Sequence, residues 1–319
     1  MQKNKILKAT TSQQAADRAK EIIDKEKSGV QLGLYTHNEV LNRAMRKGFR
    51  FSNVTLIAGL SGSGKSYLLN NLYRSFTDFD LNKAYQGKLV VLHFGFEMLA
   101  ENETIRSITS KVDLDFNQIL SSEFDAESGD FKTLDDYNYA KVISALDSER
   151  NRPILYFENA GTTQDINHTF AYYKHKHPDK YFVVGIDHNL LINKSNEKDD
   201  KDLMANLGKT AINMKKGGAN VIMLGQLNSR IEEDERIKTK SMHFPMKKDI
   251  YAQGQVFNAC DDVFVVHKPI LLNIKEYGTK KYPTNDLIHL LKLKGRFGNV
   301  GSIWLKDNIH LGKIENKKV

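Results

Sequence analysis

The sequence predicts an α/β fold, with a mostly parallel sheet flanked by helices and antiparallel strands at the C-terminal edge of that sheet. Three observations predict it. From residue 51 onward, short apolar runs alternate with stretches whose apolar residues recur at helical spacing, as a helix-covered parallel sheet requires. The first run passes through a glycine-rich loop straight into a helical pattern. The closing runs have no helices between them, so they pair antiparallel at one edge.

Taken in chain order, residues 12–27 come first. This stretch is polar and helix-prone, with Ala15, Ala16, Ala19, Ile22 and Ile23 forming a narrow apolar stripe. One helix cannot bury such a stripe alone; it must lie on the main domain or on a neighbouring subunit, and the neighbour is the expected surface. Residues 1–30 are therefore read as an arm and 31–319 as the main domain. Strands are expected at 54–58, 89–94, 154–157, 181–186, 221–224, 263–267, 287–293 and 301–305, each a short apolar or β-branched run. Helices are expected at 65–76, 101–111, 137–149, 163–176 and 202–216. Residues 231–248 are polar and charged with no clear period, and read as a long loop.

Composition bounds the function. Hydrophobic residues make up 40% and charged residues 27% of 319 residues, ordinary for a globular chain. No apolar run approaches the roughly 18–20 residues that span a bilayer, so no membrane partner is expected. The first ten residues are too polar for a secretory signal, and the one cysteine, Cys260, excludes an internal disulfide. A cytoplasmic setting fits. The formal charge of +8 is compatible with a polyanionic partner.

The loop GLSGSGKS at 59–66 fits the phosphate-binding pattern G-x-x-x-x-G-K-[ST] and lies in the strand–loop–helix context that pattern needs. Gly59, Gly62 and Gly64 allow successive backbone N–H groups to face one anion, with Ser61 and Ser63 between them. The helix opening near Lys65 adds its positive dipole end. Lys65 is placed to reach the β- and γ-phosphates of a nucleotide, and Ser66 to ligate Mg²⁺; Tyr67 completes the nucleotide-contacting set.

Ligands of a parallel α/β sheet sit at the carboxyl ends of its strands, so polar residues there are the next candidates. Asp187 ends the run at 181–186 and matches the carboxylate that holds Mg²⁺ beside such a loop. Glu97 follows the run at 89–94 and is a candidate base or water-positioning group. Gln226 follows the run at 221–224; an uncharged amide there can bond the γ-phosphate and shift after its release.

Loop, acid, acid and amide, each ending its own strand, resemble the RecA-type ATPase domain of DnaB-like replicative helicases, including those of phages. The resemblance is carried by GLSGSGKS at 59–66, FGFEM at 94–98, GIDH at 185–188, LGQLN at 224–228 and KGRFG at 294–298, and covers about 33–305. It implies a RecA-like P-loop NTPase core that uses ATP and Mg²⁺. Lys65 and Ser66 would bind phosphate and metal, Asp187 would support the metal through water, Glu97 would be the catalytic carboxylate, and Gln226 would sense the γ-phosphate. Arg296 would be an arginine finger and Lys294 its companion, acting on nucleotide held by the next subunit. The implied assembly is a homo-oligomeric ring, a hexamer in this family, moving on single-stranded DNA and working with primase or other replisome proteins.

The same resemblance puts nucleic acid near 188–201 and 228–254. The second stretch holds Arg230, Arg236, Lys238, Lys240, Lys247, Lys248 and Gly254, but also the acidic run 232–235. Arg230, Lys247, Lys248 and Gly254 are the candidate contacts. Tyr251 and Ala252 depart from the family's arginine and glutamate, and His188 from its tyrosine; a packing or water-binding role is expected for His188. The family's primase-contacting N-terminal domain is expected to have no counterpart here, with ring assembly resting on the helix at 12–27. Two other readings stand beside the helicase: a RecA-like recombination ATPase that forms filaments, and an ATP-binding loader or scaffold for a helicase.

Overall fold

The apolar run Asn53–Gly59 forms β1 and is buried along its whole length, as a central strand of a helix-covered sheet must be. The computed structural model describes residues 9–187, 189–296 and 298–318. Seven further strands join β1: β2 (Leu89–Gly95), β3 (Ile154–Phe157), β4 (Tyr181–Asp187), β5 (Asn220–Gln226), β6 (Asp262–His267), β7 (Ile288–Gly295) and β8 (Gly301–Leu305). The order across the sheet is β8-β7-β6-β1-β5-β4-β2-β3. Strands β6 to β3 are parallel; β7 and β8 are antiparallel, as the missing helices between them predicted.

Helices α1 (Ser12–Lys27), α2 (Lys65–Phe76), α3 (Ala100–Val112), α4 (Asp136–Glu149), α5 (Thr163–Lys176), α6 (Asp200–Lys216) and α7 (Gln253–Ala259) surround it. Leu68, Leu72 and Phe76 of α2 pack on one sheet face with Ile57, Ile222 and Phe264. Phe170 of α5, Leu203, Leu207 and Met214 of α6 and Val256 of α7 pack on the other with Val54, Leu56 and Val184. A satellite cluster under α3 and α4 gathers Ile108, Val112, Ile119, Val142 and Ala145.

Helix α1 starts at a capping box between Thr11 and Gln14 but buries none of its residues; Ile22 and Ile23 remain exposed. Its last turn is tied down by Glu26, which bonds Arg50 and pairs with Lys47 at 3.3 Å. Sequence periodicity missed α7, the short helix Glu39–Ala44, and the small strand pairs Gly33–Leu34 with Phe49–Arg50 and Phe124–Asp125 with Asp130–Phe131. Each is too short to show a period.

The long loop expected at 231–248 is corrected by the structure. It contains the helix Asp234–Lys238 and short 3₁₀ turns, and it closes on an internal ion pair. Arg236 is 3% exposed and donates to both carboxylate oxygens of Asp249 at 2.7 and 3.1 Å, and to the carbonyls of Met242 (2.9 Å) and Phe244 (3.2 Å). The charged sequence thus conceals a buried bidentate pair that organises the segment, and Arg236 is not available to a polyanion.

Histidines are used as core residues. Tyr277 Oη bonds His267 Nδ1 (2.7 Å) and His289 Nδ1 (3.0 Å), and His289 Nε2 bonds Ser302 Oγ (2.8 Å). Burial, with the charge of His289 adding to it, pushes His267 down to about 3; burial alone pushes His289 to about 3 and His93 to about 4.

These buried groups make stability testable in two ways. Arg236→Ala should lower unfolding free energy by about 3–5 kcal/mol, because it strands the Asp249 charge in the interior. Lys238→Ala on the exposed face should stay within about 0.5 kcal/mol; urea unfolding of both variants checks this. The three histidines remain neutral in the folded chain but bind protons once unfolded, so the unfolded state holds more protons below about pH 6.5. Stability should therefore fall as pH drops from about 6.5 to 5, with a slope of up to roughly 4 kcal/mol per pH unit if all three act together. Urea midpoints at stepped pH measure it, and His267→Asn should remove about a third of the slope.

Candidate functional site

The glycine loop has a geometry that only its own residues permit. A Cβ at Gly59 would lie 2.5 Å from Ser63 Oγ and 2.7 Å from the Val266 carbonyl oxygen. Gly62 and Gly64 have φ of +74° and +95°, the left-handed region. A Cβ at Gly64 would also meet Ile309 at 2.8 Å. Ser61 and Gly62 are exposed at the mouth, whereas Ser63 and Lys65 are buried within it. Ser66 and Tyr67 follow on the first turn of α2, half-buried.

Lys65 Nζ donates to the carbonyls of Gly59 (3.0 Å) and Leu60 (2.8 Å) and stands 3.5 Å from Gln226 Oε1. Burial lowers its pKa; the charges of Asp187 and then Glu97 act against that shift. Both carboxylates therefore face the lysine closely enough for their fields to matter. Strand register explains how they arrive there. Gly59 pairs with Gln226, and Gly95, two residues before Glu97, pairs with Asp187. Asp187 is buried, and its carbonyl accepts from the Phe96 N–H at 2.8 Å, which fixes the bend that carries the exposed Glu97. Lys65, Ser66, Glu97, Asp187 and Gln226 are thus brought together at one end of the sheet.

A third carboxylate, missed from sequence, stands behind them. Glu103 on α3 is 3% exposed and bonds Asn70 of α2. Burial raises its pKa, and the charges of Asp187 and Glu97 add to that. Its only sequence signal is an acid on the apolar face of a helix.

Lys294 and Arg296 are not part of this constellation. They lie at the end of antiparallel β7, whose Gly295 and Lys294 pair with Asp262 and Val263 at the start of β6. That is the opposite end of the sheet, a strand's length of about 20 Å from the glycine loop. Lys294 Nζ donates to the carbonyls of Phe257 (2.8 Å) and Asn258 (3.3 Å). The half-exposed Arg296 pairs with Asp261 at 3.2 Å. Asp261, also missed from sequence, is fully buried, bonds Lys215 at 2.7 Å and accepts from the Val54 N–H. Two adjacent carboxylates opening an apolar strand were the available signal. Phe297, within the KGRFG run, and His188 lie outside the described residues.

The candidate nucleic-acid contacts gather behind Gln226. Asn228 N–H donates to the Asp249 carbonyl (2.7 Å), Asn228 Nδ2 to the Lys248 carbonyl (2.7 Å), and Tyr251 N–H to the Gln226 carbonyl (2.9 Å). Arg230, Lys247 and Lys248 are exposed, and Gly254 presents open backbone on α7. Lys247 and Lys294 both lie over the Phe257 ring, at 4.6 and 5.1 Å.

The sequence profile of the DnaB-like helicase C terminal domain matches residues 33–316. The chain belongs to that family. Its relatives hydrolyse ATP as helicases, so this DnaB-like domain is an ATP-hydrolysing helicase domain. The fold is similar to a solved ATPase domain, with a TM-score of 0.74 at 20% identity over 95% of this chain and 98% of that one. It is also similar to a DnaB-like replicative helicase described with its interactions with primase, with a TM-score of 0.75 at 19% identity over 98% of this chain and 68% of that one. No curated protein matches the sequence significantly. Among the described residues of this DnaB-like domain, no helix is long and apolar enough to cross a membrane.

Gly59→Ala should weaken binding of a fluorescent ATP analogue by at least about tenfold, a loss of about 1.4 kcal/mol, because the new methyl group collides with the Val266 backbone. Gly301→Ala, which meets nothing within 4 Å, should bind as the parent does.

Proposed function

We propose that this chain is an ATP-dependent replicative DNA helicase that works as a homo-oligomeric ring on single-stranded DNA, with each ATP held between two subunits. One observation carries the reading. Lys65, Glu97, Asp187 and Gln226 converge at one end of the sheet, while Arg296 stands at the other, out of reach of its own loop. An arginine finger can be supplied in trans, so one that cannot reach its own loop can serve the loop of a neighbour. The family assignment favours this over a recombination filament or a loader.

The residues fit Mg²⁺ and ATP. The Gly59 cradle excludes any side chain, the buried Ser63 Oγ has no partner among the described residues, and Ser66 and Asp187 offer hard oxygen donors. Ser66 and Asp187 would hold Mg²⁺, whose charge would offset that of the phosphates. Glu97 would take the proton of the attacking water as its oxygen bonds the γ-phosphorus and the bond to the β,γ-bridging oxygen breaks. Lys65 would exchange its carbonyl bonds to Gly59 and Leu60 for phosphate oxygens, which would free Gln226 to report the γ-phosphate. Because Gln226 and Asn228 are bonded to residues 248–251, its movement would carry Arg230, Lys247, Lys248 and the Gly254 backbone against the strand.

Residues 1–30 would act as an arm. Helix α1 leaves its apolar stripe uncovered and is fixed to residues 31–319 through Glu26, so the neighbour's domain is the surface it would dock on, a step toward a hexamer. Primase or another replisome protein would join this assembly, in the cytoplasm or host cytoplasm.

The test is subunit mixing. ATP hydrolysis by the parent should rise with single-stranded oligonucleotide; Lys65→Ala should abolish it and Arg296→Ala should lower it by about 10³-fold. A mixture of the two variants should regain hydrolysis, because an intact loop then meets an intact finger. A mixture no more active than its parts, or a parent ring that unwinds no forked duplex, would overturn the reading.

A further inference from the structure

Glu158 directly follows the run Ile154–Phe157 that forms β3, at the same end of the sheet as Asp187 and Gln226. Phe94 of β2 pairs with Phe157, so the next residue, Glu158, comes level with Gly95, and Gly95 is opposite Asp187. Glu158 and Asp187 therefore flank the end of β2 from its two neighbouring strands. The chain that leaves β2 between them carries Glu97 and enters α3 at Ala100.

Phe96 packs on the core, but beyond it Glu97 and Leu99 are exposed and Met98 is half-buried, so backbone bonds hold this passage. Phe96 N–H donates to the Asp187 carbonyl at 2.8 Å, and Ala100 N–H donates to Glu158 Oε1 at 2.6 Å. The second bond is unlike the caps of the other helices. Thr11, Asp135 and Thr162 cap α1, α4 and α5 from the adjoining chain. The cap position of α3 holds Leu99, whose side chain accepts nothing, and the acceptor comes instead from 58 residues away. A carboxylate on the first N–H of a helix is charge-assisted and sits at the positive end of the dipole. One turn further, Glu103 bonds Asn70 of α2, the helix that opens at Lys65. Glu97 thus stands one residue past one anchor and three residues before the other.

We infer that Glu158 is a positioning residue for ATP hydrolysis: its carboxylate, bonded to the Ala100 N–H, holds the passage that sets the Glu97 carboxylate against the attacking water. The inference rests on the ATPase reading above, with Glu97 as the base. Glu158 is bonded to the start of α3 and not to the glycine loop, so its loss slows the chemical step and leaves nucleotide binding in place.

Steady-state ATP hydrolysis by the parent and its variants tests it, with thermal melting as the folding check. Glu158→Ala should lower kcat about tenfold with KM for ATP within about twofold. Glu158→Gln keeps an oxygen at the same reach and should restore most of kcat. Glu158→Asp is one methylene shorter and should behave like the alanine variant. In a Glu97→Gln background, Glu158→Ala should lower the residual rate by less than about twofold, because the group it positions is already gone. If Glu158→Ala fails to fold, the Gln and Asp variants still decide the matter. A folded Glu158→Ala with parent kcat would show a helix cap and nothing more, and would overturn the inference. Equal rates for the Gln and Asp variants, or a full tenfold fall on top of Glu97→Gln, would overturn it too. A parent that hydrolyses no ATP, or a Glu97→Gln variant at the parent rate, would instead overturn the functional reading, so the two failures are distinct.

Discussion

The parallel register across β1, β5, β4 and β2 is the constraint on which the site depends. Gly59 pairs with Gln226, Ile186 with Met223, and Gly95 with Asp187, so the three ladders run out at the same end of the sheet, within about three residues of one another. A slip of one residue would turn every side chain of a strand to the other face and send its polar end group out of the site. The register is enforced by burial, since β1 is buried throughout and Val183, Val184, Val221 and Ile222 have no exposure. Hydrophobic packing in the sheet therefore sets the position of charges at its rim.

Much of this was legible in the sequence because strands buried on both faces read as unbroken apolar runs. Each of the eight main strands lies where such a run occurs, with ends that differ by at most two residues. The residues just beyond the runs, Glu97, Asp187 and Gln226, followed from the rule that ligands gather at carboxyl ends. What stayed hidden is pairwise and long-range. Nothing in the composition of 231–248 distinguishes Arg236 from Lys238, yet one is in the core on Asp249 and the other pairs in solvent with Asp234. Gly185 reads as an ordinary strand glycine until the Tyr73 hydroxyl is seen in its place. A linear pattern records periodicity but not which distant side chain fills a gap.

Asp261 shows how the far end of the sheet is held ready. Its carboxylate takes Lys215 from α6, the Val54 N–H from β1 and Arg296 from the turn after β7. A buried carboxylate with several donors is strongly held, whereas the half-exposed Arg296 is its most loosely attached partner. Arg296 can exchange Asp261 for a phosphate without uncovering a buried charge, because Lys215 and the backbone remain on the carboxylate. As the proposed finger, Arg296 would therefore leave this ion pair at low free-energy cost.

Coupling in such a domain needs an element that two sites both bias. The backbone clamp between 226–228 and 248–251 supplies one. Gln226 faces Lys65 on one side and is bonded through its carbonyl to Tyr251 on the other. Tyr251 Oη in turn bonds Asp200 at the start of α6, the helix that also carries Lys215 toward Asp261. A displacement at the amide therefore has a short covalent and hydrogen-bonded route to the basic segment and, through α6, to the Asp261–Arg296 ion pair. The buried Arg236–Asp249 pair makes the segment stiff enough to transmit that displacement as a body, since the pair joins its middle to its end. Without that pair the same charged residues would hang on a flexible chain, and a displacement at Gln226 would be lost before it reached them.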